Sequence, residues 1–220
     1  MIQEGEHQQL DFKFEISDSK KIARTLSAFS NTKGGKLLIG VKDNGKIAGV
    51  MSEEEFYMLD AAANMYCRPA VKFLLDEWEI EGKQILEVTI PESPDKPILA
   101  PDKNGRFMVY VRIKDQNLLA NKVLLRVLKK EKSGKGTFIE FTPKEEVLLG
   151  YLRQQELITF TKAMRLIRSG KYATENLLVK LLSLKIIKLV LTEQGNYYTL
   201  HTDPETGSVT NKQFFSSETA

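Results

Sequence analysis

From Leu10 to Phe14 apolar and charged residues alternate: Leu10, Phe12 and Phe14 fall on one face, Asp11, Lys13 and Glu15 on the other. A period of two predicts a half-buried strand. The period then lengthens. Ile22, Ala23, Leu26 and Phe29 recur at helical spacing behind Ser17 and Asp18, either of which can cap the helix. Gly34-Gly35 ends it, because glycine lets the backbone pass where a side chain could not. Leu37 to Val41 predicts a short apolar strand. Asp43-Asn44-Gly45 predicts a hairpin turn returning through Ile47 to Val50, since Asn-Gly tolerates positive φ.

Ser52 and Glu55 have capping-box spacing, which predicts a helix running to Tyr66. Arg68-Pro69 breaks it. Val71 to Ile80 and Gln84 to Ile90 read as a hairpin about Glu81-Gly82. Pro91, Pro94, Pro97 and Pro101 then impose an extended crossing segment. Asp102 to Gly105 is a turn, Phe107 to Ile113 a strand, and Asn117 to Lys130 has helical spacing. Strands and helices alternate here without a regular βαβ rhythm, so the expectation is an α+β fold with a mixed sheet.

The pattern changes after a charged, glycine-containing stretch, Lys129 to Gly136, which reads as a linker. Pro143 to Gln154, Phe160 to Ile167, and a third segment capped by Thr174 and running to Leu184 are helical. Ile186 to Thr192 and Asn196 to Leu200 make a hairpin about Gln194-Gly195. Three helices followed by a two-stranded wing is the order of a winged helix-turn-helix domain. The division is a domain at 1–122, a helical and basic linker at 123–142, the smaller winged helix at 143–200, and a loose tail at 201–220.

Composition narrows the function. A 220-residue chain can bury a proper core as one large domain or two modest ones. Cys67 is its single cysteine, which excludes an intrachain disulfide and a Cys-only metal site. No apolar run approaches a membrane span and none follows Met1 as a signal segment, so the expected setting is cytoplasmic and away from membranes. Net charge is +3, but basic residues outnumber acidic ones by four between Pro143 and Leu200, leaving the remainder near neutral. A basic second module fits a polyanionic partner, DNA or RNA; a solvated lysine face is the plainer reading.

Candidate chemistry lies at three places. Neither a Walker A pattern nor G-x-G-x-x-G occurs. Asn31, Thr32, Gly34 and Gly35 could still bring backbone N–H groups to a phosphate, against the simpler reading of a tight helix-to-strand turn. Glu6, Asp11 and Asp43 with Lys13 would suffice to hold Mg²⁺ or Mn²⁺ and steady a phosphate for phosphodiester cleavage, against a solvated strand face and a turn aspartate. In the winged helix, Thr174, Glu175 and Asn176 would open the reading helix, with Lys180 one turn on and Lys171, Tyr172, Lys185 and Lys188 placed for phosphates. His7 and His201 are too few for a zinc site. Cys67 reads as a buried structural thiol. Trp78 reads as packing, with a base-stacking platform as the alternative.

Several of these residues carry a family resemblance. Glu6-x4-Asp11-x-Lys13, then Ala28-Phe29-Ser30-Asn31-Thr32-x-Gly34-Gly35-x-Leu37-Leu38-Ile39-Gly40-Val41, then Asp43-x-Gly45-x-Ile47-x-Gly49-Val50, resemble the Schlafen AlbA_2 domain. Pro91-Glu92-Ser93, Lys96-Pro97 and Tyr110-Val111-Arg112 are similar to it as well. The resemblance implies nucleic-acid binding. The same domain was once labelled a divergent AAA-type ATP-binding domain, and its members often carry a C-terminal winged helix. In Schlafen relatives it implies a metal-dependent ribonuclease whose three carboxylates match Glu6, Asp11 and Asp43. Asp11 departs from the family's usual Glu and retracts that carboxylate by one methylene. Arg112 is a candidate phosphate contact, and Lys114 stands where the family has a small residue, in the turn after Arg112 that the resemblance links to phosphate binding.

The expected function is therefore nucleic-acid binding as a DNA-binding transcriptional regulator. Paired half-sites would favour a homodimer. The rival readings are an Mg²⁺- or Mn²⁺-dependent endoribonuclease, an ATP-binding protein and a protein-interaction module. Only the nuclease needs a cofactor.

Overall fold

The structure, a computed structural model, describes residues 1–50, 54–132 and 142–201. The chain divides into two compact units, Met1–Ala120 and Asn121–Ala220. Ser52 of the expected capping box, the linker stretch beyond Lys132 and the tail from Thr202 lie outside the described residues.

In the first unit the alternating segment is β1 (Leu10–Lys13). The chain crosses through α1 (Ser19–Ser30) into β2 (Gly35–Ile39), which runs parallel to β1 with Leu10 opposite Lys36. Asp18 caps α1 by accepting from the Lys20 N–H at 2.8 Å, as N-cap carboxylates do. After α2 (Glu54–Asn64) come β3 (Leu74–Ile80) and β4 (Lys83–Ile90), an antiparallel hairpin. The sheet order is β1-β2-β4-β3, and it is mixed as the sequence predicts. A second, antiparallel sheet joins β5 (Leu99–Pro101), β6 (Phe107–Ile113) and β7 (Gln116–Leu119).

The inward face of α1 sets the core. Ile22, Ala23, Leu26 and Phe29 pack with Leu37, Ile39, Val88 and Ile98. A smaller cluster of Leu10, Phe12, Leu38, Val41 and Ile85 fills the other side of the first sheet. Each large apolar side chain buried this way contributes about 1.5–3 kcal/mol.

The second unit begins with α3 (Lys122–Lys132). Then come α4 (Pro143–Gln155), β8 (Ile158–Thr159), α5 (Phe160–Leu166), α6 (Lys171–Ser183), β9 (Ile187–Thr192) and β10 (Gly195–Leu200). The three strands form an antiparallel sheet ordered β8-β10-β9. A capping box between Thr142 and Glu145, with Pro143 in the first turn, starts α4.

Four local expectations change. Asn117 to Lys130 is not one helix: Gln116–Leu119 extends as β7, and Asn121 restarts the chain by accepting from the Leu124 N–H at 2.9 Å. The part of 123–142 that the structure describes is helical and belongs to the second unit, because Val123 and Val127 enter its core. Thr174 does not cap α6. Gly170 does, and the Thr174 hydroxyl donates back to the Gly170 carbonyl from inside the helix at 3.0 Å. Gly45 closes the expected turn through the Lys42 carbonyl, but the return toward Val50 keeps a single bridge, Val41 to Ile47, rather than a strand.

Candidate functional site

β1 brings three of the four residues expected at a metal-assisted site together. Asp11 is 3% exposed. Its Oδ1 lies 3.0 Å from Arg112 Nη2 and its Oδ2 2.9 Å from Lys13 Nζ. Glu6 is half-buried, accepts from the Phe12 N–H at 2.9 Å and lies 4.0 Å from Lys13 Nζ. Burial, and after it a hydrogen bond with Asp11, raise the Glu6 carboxyl above its usual value. The charge of Asp11 adds to that rise, while two cations, Arg112 and Lys13, balance Asp11.

Asp43 does not join them. It sits exposed in the turn after β2. Among the described residues no three His, Cys, Asp or Glu side chains form a group able to hold a metal ion. Asp11 departs from the expected role for a physical reason: both of its oxygens face protein cations. Glu6, Asp11 and Asp43 therefore do not fit the divalent metal that the resemblance implies.

Arg112 is not available for a phosphate either. It is 1% exposed. Its guanidinium donates to Asp11, to the Leu10 carbonyl at 3.3 Å and to Asn117 Oδ1 at 3.1 Å, and it lies 5.1 Å from the centre of the Phe29 ring. Gln8 donates to the Arg112 carbonyl, and its own carbonyl oxygen accepts from the Lys114 N–H. Lys114 has φ of 56°, a left-handed position where glycine is at ease. Arg112 ties β6 to β1.

The helix-to-strand turn is equally occupied. Asn31 is 3% exposed. Its amide donates to the Ile98 and Tyr110 carbonyls, each at 2.8 Å, and its oxygen accepts from the Ile98 N–H at 2.8 Å. Thr32 donates back to the Ala28 carbonyl at 2.8 Å. The Gly34 N–H bonds the Phe29 carbonyl at 3.0 Å. Gly34 has φ of +69°, and a Cβ there would lie 2.6 Å from the Ile90 carbonyl oxygen; one on Gly35 would lie 2.4 Å from the Phe29 ring. The Asn-Thr-x-Gly-Gly pattern closes the turn onto its neighbours, the simpler of the two readings. Beside it, a cleft of about 420 Å³ is bordered by Lys33, Lys36, His7 and Glu4. Lys36 is ion-paired with Glu87 there.

In the second unit the residues expected to read bases are divided. Lys171 is exposed and Lys180 partly so. Thr174 is fully buried. Asn176 accepts from Arg126 Nη2, and Glu175 lies 3.6 Å from Arg126 Nη1. Arg126 also lies 5.5 Å from the centre of the Tyr172 ring. It belongs to α3, so α3 packs on α6 beside Glu175 and Asn176. Sequence reasoning misses this because α3 resembles a linker; its apolar Val123-Val127 spacing is the available signal. Outside α6, Lys144, Arg153, Lys162, Arg165, Arg168 and Lys188 are all exposed.

Cys67 is a buried free thiol, pushed up to about 12 by burial, and carries no thiolate at neutral pH. No described helix is long and apolar enough to cross a membrane.

A sequence profile of the Schlafen AlbA_2 family matches residues 6–121, more than half of the chain. The chain belongs to the Schlafen AlbA_2 family. The AlbA_2 match spans β1 through β7, so it takes in both the buried Asp11–Arg112 pair and the Asn31 clasp. No curated protein matches the chain. Among solved structures, the DIP2311 protein from Corynebacterium diphtheriae is similar, with 19% identity and a TM-score of 0.43. That likeness covers 61% of this chain and 26% of the other, so the chain spans about a quarter of that protein's length. The N-terminal domain of an ATP-dependent DNA helicase RecG-related protein from Nitrosomonas europaea is 23% identical, with a TM-score of 0.35. There the likeness covers 52% of this chain and 86% of that domain.

Proposed function

We propose that this AlbA_2 protein binds nucleic acid, and DNA in particular, as a transcriptional regulator. The observation that carries the reading is the second unit. Its order from α4 to β10, helix, strand, two helices and a hairpin with a three-stranded sheet, supports a winged-helix reading. The exposed cations on α4, α5 and β9 are suited to phosphate oxygens. With Asn176 engaged by Arg126 and Thr174 buried, recognition rests on phosphate contacts more than on base edges. A homodimer on paired half-sites, in the cytoplasm, completes the proposal.

The nuclease and ATP-binding readings find no support in the geometry. Asp11 is neutralised by Arg112 and Lys13, and Asn31, Thr32 and the Gly34 N–H are already bonded.

Fluorescence anisotropy with labelled duplex and single-stranded DNA and RNA tests the proposal. Affinity should be greatest for duplex DNA and fall steeply between about 50 and 200 mM salt, as released counterions require. Negligible affinity for every probe at the lower salt concentration would end the proposal.

A further inference from the structure

The strand β3 is exposed on both faces along nearly its whole length. It is the last strand of its sheet, so its outer edge pairs with no strand among the described residues. On one face stand Leu74, 69% exposed, Trp78, 54%, and Ile80, 37%, with Asp76 between them. Glu77 and Glu79 stand on the other face. Glu77 accepts from the Gln84 amide at 2.7 Å and remains in solvent. From Leu74 to Gly82 the chain has four carboxylates, Asp76, Glu77, Glu79 and Glu81, and no basic residue. A long edge with exposed tryptophan, leucine and isoleucine is a template for strand addition.

A second copy of the strand is a poor occupant. An antiparallel two-fold pairing centred on Glu77 sets Glu77 against Glu77. Moving the centre to Asp76 sets Asp76 against Asp76, and moving it to Trp78 sets Glu77 against Glu79. Like charges directly opposite are destabilising. Nucleic acid is disfavoured by the same carboxylates. We propose that β3 is a docking edge for an extended segment of a partner protein, one that alternates apolar and basic residues. Its apolar side chains would cover Leu74, Trp78 and Ile80, and its lysines or arginines would face Glu77 and Glu79. This stands independently of the DNA-binding proposal, which concerns the other unit.

Trp78 is the protein's single tryptophan, so its emission reports directly on this strand. The full chain is titrated with an end-blocked peptide alternating valine and lysine, matched to the strand's seven residues. The counterpart peptide alternates valine and glutamate. Trp78 emission should change saturably with the lysine peptide, at an affinity about tenfold or more above that for the glutamate peptide. The double variant Glu77→Lys/Glu79→Lys should reverse that preference while its thermal melt stays unchanged. A lysine peptide N-methylated at every residue should not bind, since its backbone donors are gone.

Equal affinity for both peptides would overturn the proposal. So would a preference unmoved by the charge reversal, equal binding of the N-methylated peptide, or no emission change with any of them. Concentration-dependent self-association quenching Trp78, or stronger quenching by an oligonucleotide, would assign the edge to a second copy or to nucleic acid instead.

Discussion

Arg112 and Lys162 are both cations beside aromatic rings. Arg112 lies 5.1 Å from the centre of Phe29, and Lys162 lies 4.9 Å from the centre of Tyr151. Arg112 is 1% exposed, paired with buried Asp11 and fixed to two strands, whereas Lys162 stands in solvent. The first unit uses its most distinctive polar residues, Asn31, Asp11 and Arg112, to hold its own backbone. The second unit, Arg126 apart, leaves most of its described cations on the surface. A buried polar group held by partners across the chain ties the fold together; an exposed charge is free to meet a ligand.

The sharpest way to break this comparison is Arg112→Met. It should leave Asp11 buried beside Lys13 alone, at a cost of about 3–5 kcal/mol, read by urea denaturation. Adding Asp11→Asn should recover part of the loss, because the uncompensated charge is then gone. If Arg112→Met unfolds at the wild-type midpoint but abolishes nucleic-acid binding, Arg112 is a ligand residue and the contrast fails.

Asn31→Ala should come next. It strips partners from the Ile98 N–H and from the Ile98 and Tyr110 carbonyls. A buried polar group left unsatisfied costs about 1–3 kcal/mol, and the melting temperature should fall accordingly. Binding per folded molecule should not change.

Lys162→Ala with Arg165→Ala should do the opposite. Stability should stay within about 0.5 kcal/mol of the parent. The slope of log affinity against log salt should shrink by about 0.9 for each phosphate that the variant no longer neutralises. A slope that does not move removes α5 from the interface.

The smallest effect is a pH dependence. Glu6 is raised above its usual 4.5, first by burial and then by Asp11. The folded chain therefore holds that proton more tightly than the unfolded one. The stability that protonation contributes is present below the usual value and lost as pH rises through the raised one. Glu6→Gln keeps an acceptor for the Phe12 N–H and should flatten that decline, measured by denaturation from acid to neutral pH.

Much of this is legible along the chain. Alternation about Phe12 marks β1, helical spacing from Ile22 marks α1, and Gly34-Gly35 marks the turn. The elements that escape are short or interrupted. β5 and β8 are too brief to show a period, and β7, Gln-Asn-Leu-Leu, does not alternate. The start of α6 is hidden because Gly170, a cap without a side-chain bond, leaves no mark in the sequence. For the candidate site, proximity of Glu6, Asp11 and Lys13 is readable because they share one strand and the segment before it. Asp43's separation is not, since a turn residue's direction depends on the return of the chain, and that return never becomes a strand.

The sequence by itself determined most of the local elements, the family and the charge of each unit, because periodicity, glycine placement and composition are properties of neighbouring residues. Only the tertiary structure decided what the polar residues do. Arg112 and Asp11 meet across 101 positions of chain, and Arg126 reaches Asn176 across 50. No local pattern records such partners, and at these positions the partner decides whether a charge is a brace within the fold or a contact for something outside it.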